Sequence, residues 1–287
     1  MDADLNQLKI NRNAKQIEAE IISNKKVGPY HHMVFAVGEI AAAARPGNFV
    51  ALSVGGENSA SVLRRAFAIY RATDKGLLGG TIELVVAPHG SGSKWLCSLQ
   101  IGDFVNLIGP LGTAFGIPTT PANTMLIGGG YGSAPLFALA ELLKNRGCRV
   151  DMVLGASTAN KIYAPLEGKR SVSSLTLTTD DGTAGVHGQI TESIPRLIRE
   201  FNTEVIYSCG PMSMLNSINK IAQDFDLVHQ CSVEESMACG IGVCMTCVVP
   251  VKVNEEIKML RTCIDGPVMD GSMIIWDKES LKEGLSK

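Results

Sequence analysis

Four cysteines near the carboxyl end, Cys239, Cys244, Cys247 and Cys263, fall within 25 residues and constrain this chain more than any other feature. Their spacing is C-x4-C-x2-C, with fifteen residues between the third cysteine and the fourth. Thiolates so spaced wrap a [2Fe–2S] cluster. Gly240 and Gly242 lie between the first two. They are expected to let the backbone follow the cluster closely, where a side chain would meet sulfide or the next ligand. Tetrahedral zinc is the competing occupant, but zinc ribbons usually pair two C-x2-C knuckles, and only Cys244/Cys247 forms one here. The other four cysteines, Cys97, Cys148, Cys209 and Cys231, are scattered. In a reducing compartment, clustered thiols point to metal or redox chemistry rather than disulfides.

The 287 residues are enough for two domains and an appendage. Six short β-like runs come first: Ile17–Ile22, Met33–Val37, Asn48–Val54, Arg65–Tyr70, Thr81–Val86 and Asp103–Ile108. Close strand spacing with Gly-rich turns predicts a small antiparallel barrel or sandwich. From Ala122 strand and helix alternate: strands at Met125–Ile127, Arg149–Leu154, Leu175–Thr179 and Glu204–Ser208, a helix over about Ser133–Arg146, and another running through Gln223. Alternation of this kind predicts a parallel sheet. Val228–Val233 reads as one last strand before the cysteines. The fold class expected is α+β multidomain, with a β-barrel over 14–120, an α/β parallel-sheet domain over 121–228 and a small cluster-binding domain over 229–287.

Gly128-Gly129-Gly130-Tyr131-Gly132-Ser133 sits between a strand and a helix. Free N–H groups at a helix start, reached through glycines, suit a pyrophosphate. The pattern is not a strict G-x-G-x-x-G, because Ser133 falls where the last glycine belongs when the count starts at Gly128. Cys209-Gly210-Pro211 ends a later strand of the same unit, where ligands of open parallel sheets bind. A buried Cys209 packing as a small hydrophobe is the equal alternative. A net charge of −2 gives no electrostatic reason to expect nucleic acid or an anionic membrane. No apolar run approaches the roughly 20 residues of a spanning helix. Met1–Ile22 mixes charges without an apolar core, so no secretory signal is read there and the expected location is cytoplasmic. No acid–base or nucleophile constellation stands out, and His31, His32, His89, His187 and His229 read as structural or exposed.

Taken in order, Arg65-Ala66-Phe67-Ala68, Gly90-Ser91-Gly92-Ser93, Gly130 to Pro135 and Cys209-Gly210-Pro211 resemble the ferredoxin–NADP reductase superfamily. The segments Met237–Cys244 and Arg261–Val268 narrow the resemblance to the electron-transfer subunits of NAD-linked, type B dihydroorotate dehydrogenase. The resemblance spans about Ala14 to Trp276.

The resemblance implies FAD on Arg65, Ala66, Phe67 and Ala68, with Arg65 at the pyrophosphate, where a permanently charged forked donor is suited. Ala68 stands where the family carries a hydroxyl. Val85, Val86 and Ala87 would lie along the flavin, and Gly92 and Ser93 would donate to the diphosphate. NAD is implied at Gly130, Gly132, Cys209, Gly210 and Pro211. The loop Thr179–Gly182 resembles an acidic loop of the family, while Lys161 and Arg170 leave NADPH open. The implied partner is an FMN-containing dihydroorotate dehydrogenase catalytic subunit in a heterotetramer. Electrons would run from its FMN through the cluster and FAD to NAD+, within pyrimidine biosynthesis. Two other roles stand against this. One is the flavin/iron-sulfur subunit of a ferredoxin:NADP oxidoreductase, sulfhydrogenase or sulfide dehydrogenase. The other is a non-catalytic, zinc-stabilised scaffold.

Overall fold

The computed structural model describes residues 14–56, 59–76 and 79–277. Of the stretch 1–22 read for a secretory signal, residues 1–13 lie outside the described residues.

Six strands close a barrel: β1 (Lys15–Val27), β2 (Tyr30–Ala36), β3 (Phe49–Leu52), β4 (Arg65–Thr73), β5 (Thr81–Val86) and β6 (Phe104–Leu111), in the order β1-β2-β5-β4-β3-β6. All six predicted runs fall on these strands. Alternate residues point inward, so Ile21, Met33, Phe35, Leu52, Leu84 and Leu107 fill the interior. Closure leaves no free edge. Two short helices, α1 (Glu39–Ala43) and α2 (Ser91–Ser98), interrupt the strands.

The second layer contains β7 (Asn123–Gly129), α3 (Ala134–Asn145), β8 (Arg149–Ala156), α4 (Pro165–Ser171), β9 (Ser174–Thr179), β10 (Val186–His187), α5 (Ile190–Phe201), β11 (Val205–Cys209), α6 (Met212–Asp224) and β12 (Val228–Ser232). The sheet order is β10-β9-β8-β7-β11-β12, all parallel, with one further strand, β15 (Val268–Asp270), antiparallel on β12. A parallel sheet is covered on both faces, and the strands show it. Leu126 of β7 packs with Leu136 and Leu139 of α3, whereas its neighbours Met125 and Ile127 pack with Ile194 of α5 and Ile218 of α6.

After β12 the chain leaves the sheet, carries three cysteines, forms the hairpin β13 (Val248–Val253) and β14 (Glu256–Arg261), and returns as β15 (Val268–Asp270). The tail set at 229–287 from the sequence therefore contributes two strands to the α/β layer. The hairpin's Val249 and Val251 pack on Leu215 of α6, Cys231 of β12 and Met269 of β15.

One buried network ties these pieces together. Ser208 Oγ lies 2.7 Å from His229 Nε2, and His229 Nδ1 lies 3.3 Å from Asn219 Oδ1, all three residues being buried. Burial pushes His229 down to about 4, against a smaller upward pull from Asp270. The folded state thus holds this ring neutral while an unfolded chain would protonate it near 6.5. Its contribution is complete above about pH 6.5 and is lost as the pH falls towards about 4. The loss is on the order of 3 kcal/mol, each pKa unit being about 1.4 kcal/mol. Urea unfolding at stepped pH is expected to show this decline, and His229→Gln to flatten it.

Candidate functional site

Two adjoining cavities open along the seam between barrel and sheet. The smaller, about 340 Å³, is lined by Arg65, Ala66, Phe67, Val85, Ala87, Gly92 and Ser93, among others. The sequence reading named all seven. They come from β4, the end of β5 and the start of α2, which the barrel brings side by side. Arg65 sits against α2: a Cβ at Gly92 would lie 3.4 Å from Arg65 Nε and 2.8 Å from Val54. The guanidinium and the free N–H groups of the first turn thus face one space, a combination that suits an anionic diphosphate.

Two of the named residues lie elsewhere. Val86 is fully buried among the barrel core residues, because neighbouring strand residues point to opposite faces. Ala68 is exposed and does not line the cavity, so the missing hydroxyl leaves no gap in its wall.

The larger cavity, about 830 Å³, lies over the carboxyl ends of the parallel strands. Gly130, Gly132 and Pro211 line it, with Gly155, Lys161 and Asp180. The glycine turn is one 3-10 turn, Gly130–Ser133, running into α3. Ser133 faces inward: it is buried, and its hydroxyl donates to the Gly130 carbonyl at 2.8 Å. A Cβ on Gly132 would stand 3.0 Å from Gly210 Cα, so two backbones meet there with no room for a side chain. Gly132→Val is accordingly expected to push the turn off β11. The apparent KM for NADH in dye reduction should rise about tenfold or more, a cost of about 1–3 kcal/mol for overpacking. Visible absorbance of the bound groups should be unchanged.

Cys209 lies under the floor rather than in the wall. It is buried in the core shared with α3, and burial pushes its thiol up to about 12. It packs as a neutral hydrophobe, the second of the two readings left open. Gly210 is wedged between Gly129 and Met214. Arg170, on the exposed side of α4, does not reach the cavity; Lys161 does, with its ammonium 3.0 Å from Ser157 Oγ.

Ala87, His89, Tyr131 and Glu234 line both cavities. The sequence reading picked only Ala87. Tyr131 has its hydroxyl 3.5 Å from Glu234 Oε1 and its ring edge-on to Tyr30 and tilted against His89. The four shared residues come from three separate segments, so no local pattern reveals their meeting. Nearby, Arg71 of β4 bridges Glu141 of α3 and Glu167 of α4 at 2.7 and 2.8 Å and clamps barrel to sheet.

The four cysteines converge on the barrel. Cys247 and Cys263 are buried against Phe49, Ala51 and Leu111 of β3 and β6, while Cys239 is partly exposed and Cys244 exposed. They meet as two pairs: Cys239 is within hydrogen-bonding reach of Cys244, and Cys247 of Cys263. Two thiolates on each of two irons is the demand of a [2Fe–2S] cluster, whereas zinc asks for four around one point. Among the described residues no three ligating side chains gather around a single point. Hydrogen bonds from Thr246, then Cys239, hold the Cys244 thiol low, at about 6, while burial and the Cys247 thiol push Cys263 up to about 12. Cys244 is thus ready to ligate at neutral pH, whereas Cys263 gives up its proton to a metal. The donor set fits the cluster.

Gly240 and Gly242 both have positive φ, +72° and +83°. Glycine adopts that conformation without strain, and at Gly240 the nearest protein atom to a Cβ would be Ala51 Cβ at 3.4 Å. At Gly242 a Cβ would also strike Ile264 at 2.7 Å.

Known proteins align with this arrangement along most of its length. Residues 234–275 match the model for the iron-sulfur cluster binding domain of dihydroorotate dehydrogenase B. The electron transfer subunit of dihydroorotate dehydrogenase B (NAD(+)) from Desulforamulus reducens is 32% identical over 92% of this chain and 100% of its own. The subunit of the same name from Listeria monocytogenes serovar 1/2a is 34% identical over 88% of this chain and 96% of its own. Among solved structures, a chain of NADH-dependent reduced ferredoxin–NADP oxidoreductase superposes with a TM-score of 0.79 at 28% identity, covering 94% of each chain. A ferredoxin reductase of carbazole 1,9a-dioxygenase, at 20% identity and a TM-score of 0.61 over 75% of this chain and 67% of that one, shares the fold. Identity above 30% along nearly the full length of these relatives, with the cysteine segment included, means that this chain belongs to the family of dihydroorotate dehydrogenase B electron transfer subunits.

Proposed function

We propose that this chain passes electrons from a dihydroorotate-oxidising, FMN-containing partner subunit to NAD+ in pyrimidine biosynthesis, using a [2Fe–2S] cluster and FAD of its own. One observation carries the reading. The buried cysteines rest on Phe49 and Ala51 of β3, and those residues pair with Ala68 and Ala66 of β4, the strand that lines the smaller cavity. Metal site and flavin site are thus one strand apart, a spacing of about 4.8 Å between backbones. When bound, nicotinamide exchanges two electrons as hydride, the cluster exchanges one at a time, and flavin does both.

The chain's own residues bind and orient these groups. Cys239, Cys244, Cys247 and Cys263 would hold the cluster. Arg65, Ala66, Phe67, Val85, Ala87, Gly92 and Ser93 would hold FAD, and Gly130, Gly132 and Pro211 the nicotinamide nucleotide, with Cys209 and Gly210 packed beneath them. We assign a functional division at 14–120, 121–228 and 229–287, with the third unit hung on the sheet by β12 and β15. Among the described residues no helix is long and apolar enough to cross a membrane. The cytoplasm, which keeps thiols reduced, is the compartment we assign. A heterotetramer with two catalytic subunits is the assembly we assign.

Anaerobic purification with whatever co-purifies tests this. Flavin and iron-sulfur absorbance, an EPR signal on reduction, and NAD+ reduction driven by dihydroorotate are expected. Colourless, iron-free protein containing zinc would overturn it. The 28% identical structural relative supports a second reading, a flavin subunit of an NADH-dependent ferredoxin–NADP oxidoreductase. A co-purifying partner that ignores dihydroorotate but exchanges electrons with ferredoxin would favour that one.

A further inference from the structure

Around Cys263 the chain folds back on itself in a closed turn. The Arg261 N–H donates to Asp265 Oδ2 at 2.8 Å, and the Asp265 N–H donates to the Arg261 carbonyl, also at 2.8 Å. Arg261 Nε stands 3.4 Å from the same carboxylate oxygen. The guanidinium's Nη1 then reaches across to the Gly242 carbonyl at 3.2 Å, in the loop between Cys239 and Cys244. Ile241, the residue before Gly242, donates its N–H to Cys239 Sγ at 3.5 Å, and a Cβ on Gly242 would stand 2.7 Å from Ile264, the neighbour of Cys263. Gly242 is thereby held from both sides, by Arg261 on its carbonyl and by Ile264 packed against its Cα.

The charges of this pair are not screened alike. Asp265 has only 6% of its side chain exposed and Arg261 has 29%. Asp265 Oδ1 is buried with no hydrogen-bond partner among the described residues, so its charge leans on Arg261 alone. A buried ion pair beside a redox group acts on it through space, because low polarity strengthens each field. Amide hydrogen bonds to sulfur and nearby net charge are two of the factors that set an iron-sulfur potential.

We propose that Arg261 and Asp265 are positioning residues that seat the Ile241–Gly242 turn beside the cysteines and set the reduction potential of the cluster on the four of them. The proposal rests on the cluster assignment made above. Neither residue ligates, and neither is needed to bind FAD or nicotinamide.

EPR-monitored redox titration of the full chain, together with its co-purified partner, tests the pair. Arg261→Met leaves the Asp265 charge unbalanced and disfavours the electron-rich state. The reduced fraction at a fixed poise is expected to fall about tenfold, which is about 59 mV for a one-electron couple. Asp265→Asn leaves the cation and is expected to shift the midpoint the other way. Arg261→Lys keeps the charge but not the fork, so its midpoint should stay near the parent's while cluster loss in air quickens. A merely structural pair would give shifts of one sign, or none, whatever its effect on cluster lifetime, and either result overturns the proposal. Should Asp265→Asn fail to load iron, the Lys and Met variants at position 261 decide, and equal midpoints overturn it. A parent chain without iron would instead defeat the cluster assignment itself.

Discussion

Replacing Cys244 with serine is expected to abolish the iron-sulfur signal and dihydroorotate-driven NAD+ reduction, and to leave FAD content and NADH-dependent dye reduction within about twofold of the parent. The reason is where this side chain sits. Cys244 is exposed and belongs to the outer thiol pair, so removing its sulfur takes away a ligand and no core contact. Both cavities are lined entirely by other residues. Iron analysis should fall from about two atoms per chain to background, in keeping with a diiron cluster. Cys263→Ser should lose the cluster as well, but at a structural cost too. Its sulfur is buried against Phe49 and Leu111, and a hydroxyl left there without a partner costs about 1–3 kcal/mol. Loss of FAD in the Cys244 variant would contradict the separation of flavin site from metal site.

Arg65→Ala is the second large effect. Arg65 lines the smaller cavity beside the first turn of α2, which Ser91, Gly92 and Ser93 open. Hydrogen bonds to a charged group contribute about 1.5–3 kcal/mol, so FAD should bind about ten- to a hundredfold more weakly. Flavin released on dilution, followed by its fluorescence, measures this directly. Iron should remain bound, since the cysteines contact β3 and β6 rather than Arg65. Lysine at position 65 should recover part of the affinity, because it keeps the charge and loses the planar fork. Stoichiometric FAD in the alanine variant, surviving dilution, would show that Arg65 only decorates the surface.

These two sites were legible in the sequence to different depths. The cysteines were readable because one segment supplies all four at a spacing that few groups accept. The barrel strands were readable because their apolar residues alternate. Helix α5 was passed over: Pro195 lies inside it, although Ile190, Ile194, Leu197 and Ile198 keep a helical period. The hairpin β13–β14 was missed for another reason. Its turn residues Asn254 and Glu255 both have positive φ, and glutamate is a poor signal for a turn that favours glycine there. Val86 was placed along the flavin against the two-residue period of its own strand. The shared wall of His89, Tyr131 and Glu234 depends on how the barrel sits on the sheet, and only tertiary structure shows it.

The excursion between β12 and β15 carries one more consequence. Since β15 returns to pair with β12, the stretch from Val233 to Pro267 is a loop hung from the rim of the sheet, and its return strand covers the rim itself. A chain cut after Ser232 would keep every parallel strand but leave β12 with a bare row of unsatisfied amides and carbonyls, the kind of border along which sheets stick to one another. The metal-carrying segment thus doubles as a hem that guards the nucleotide layer against self-association.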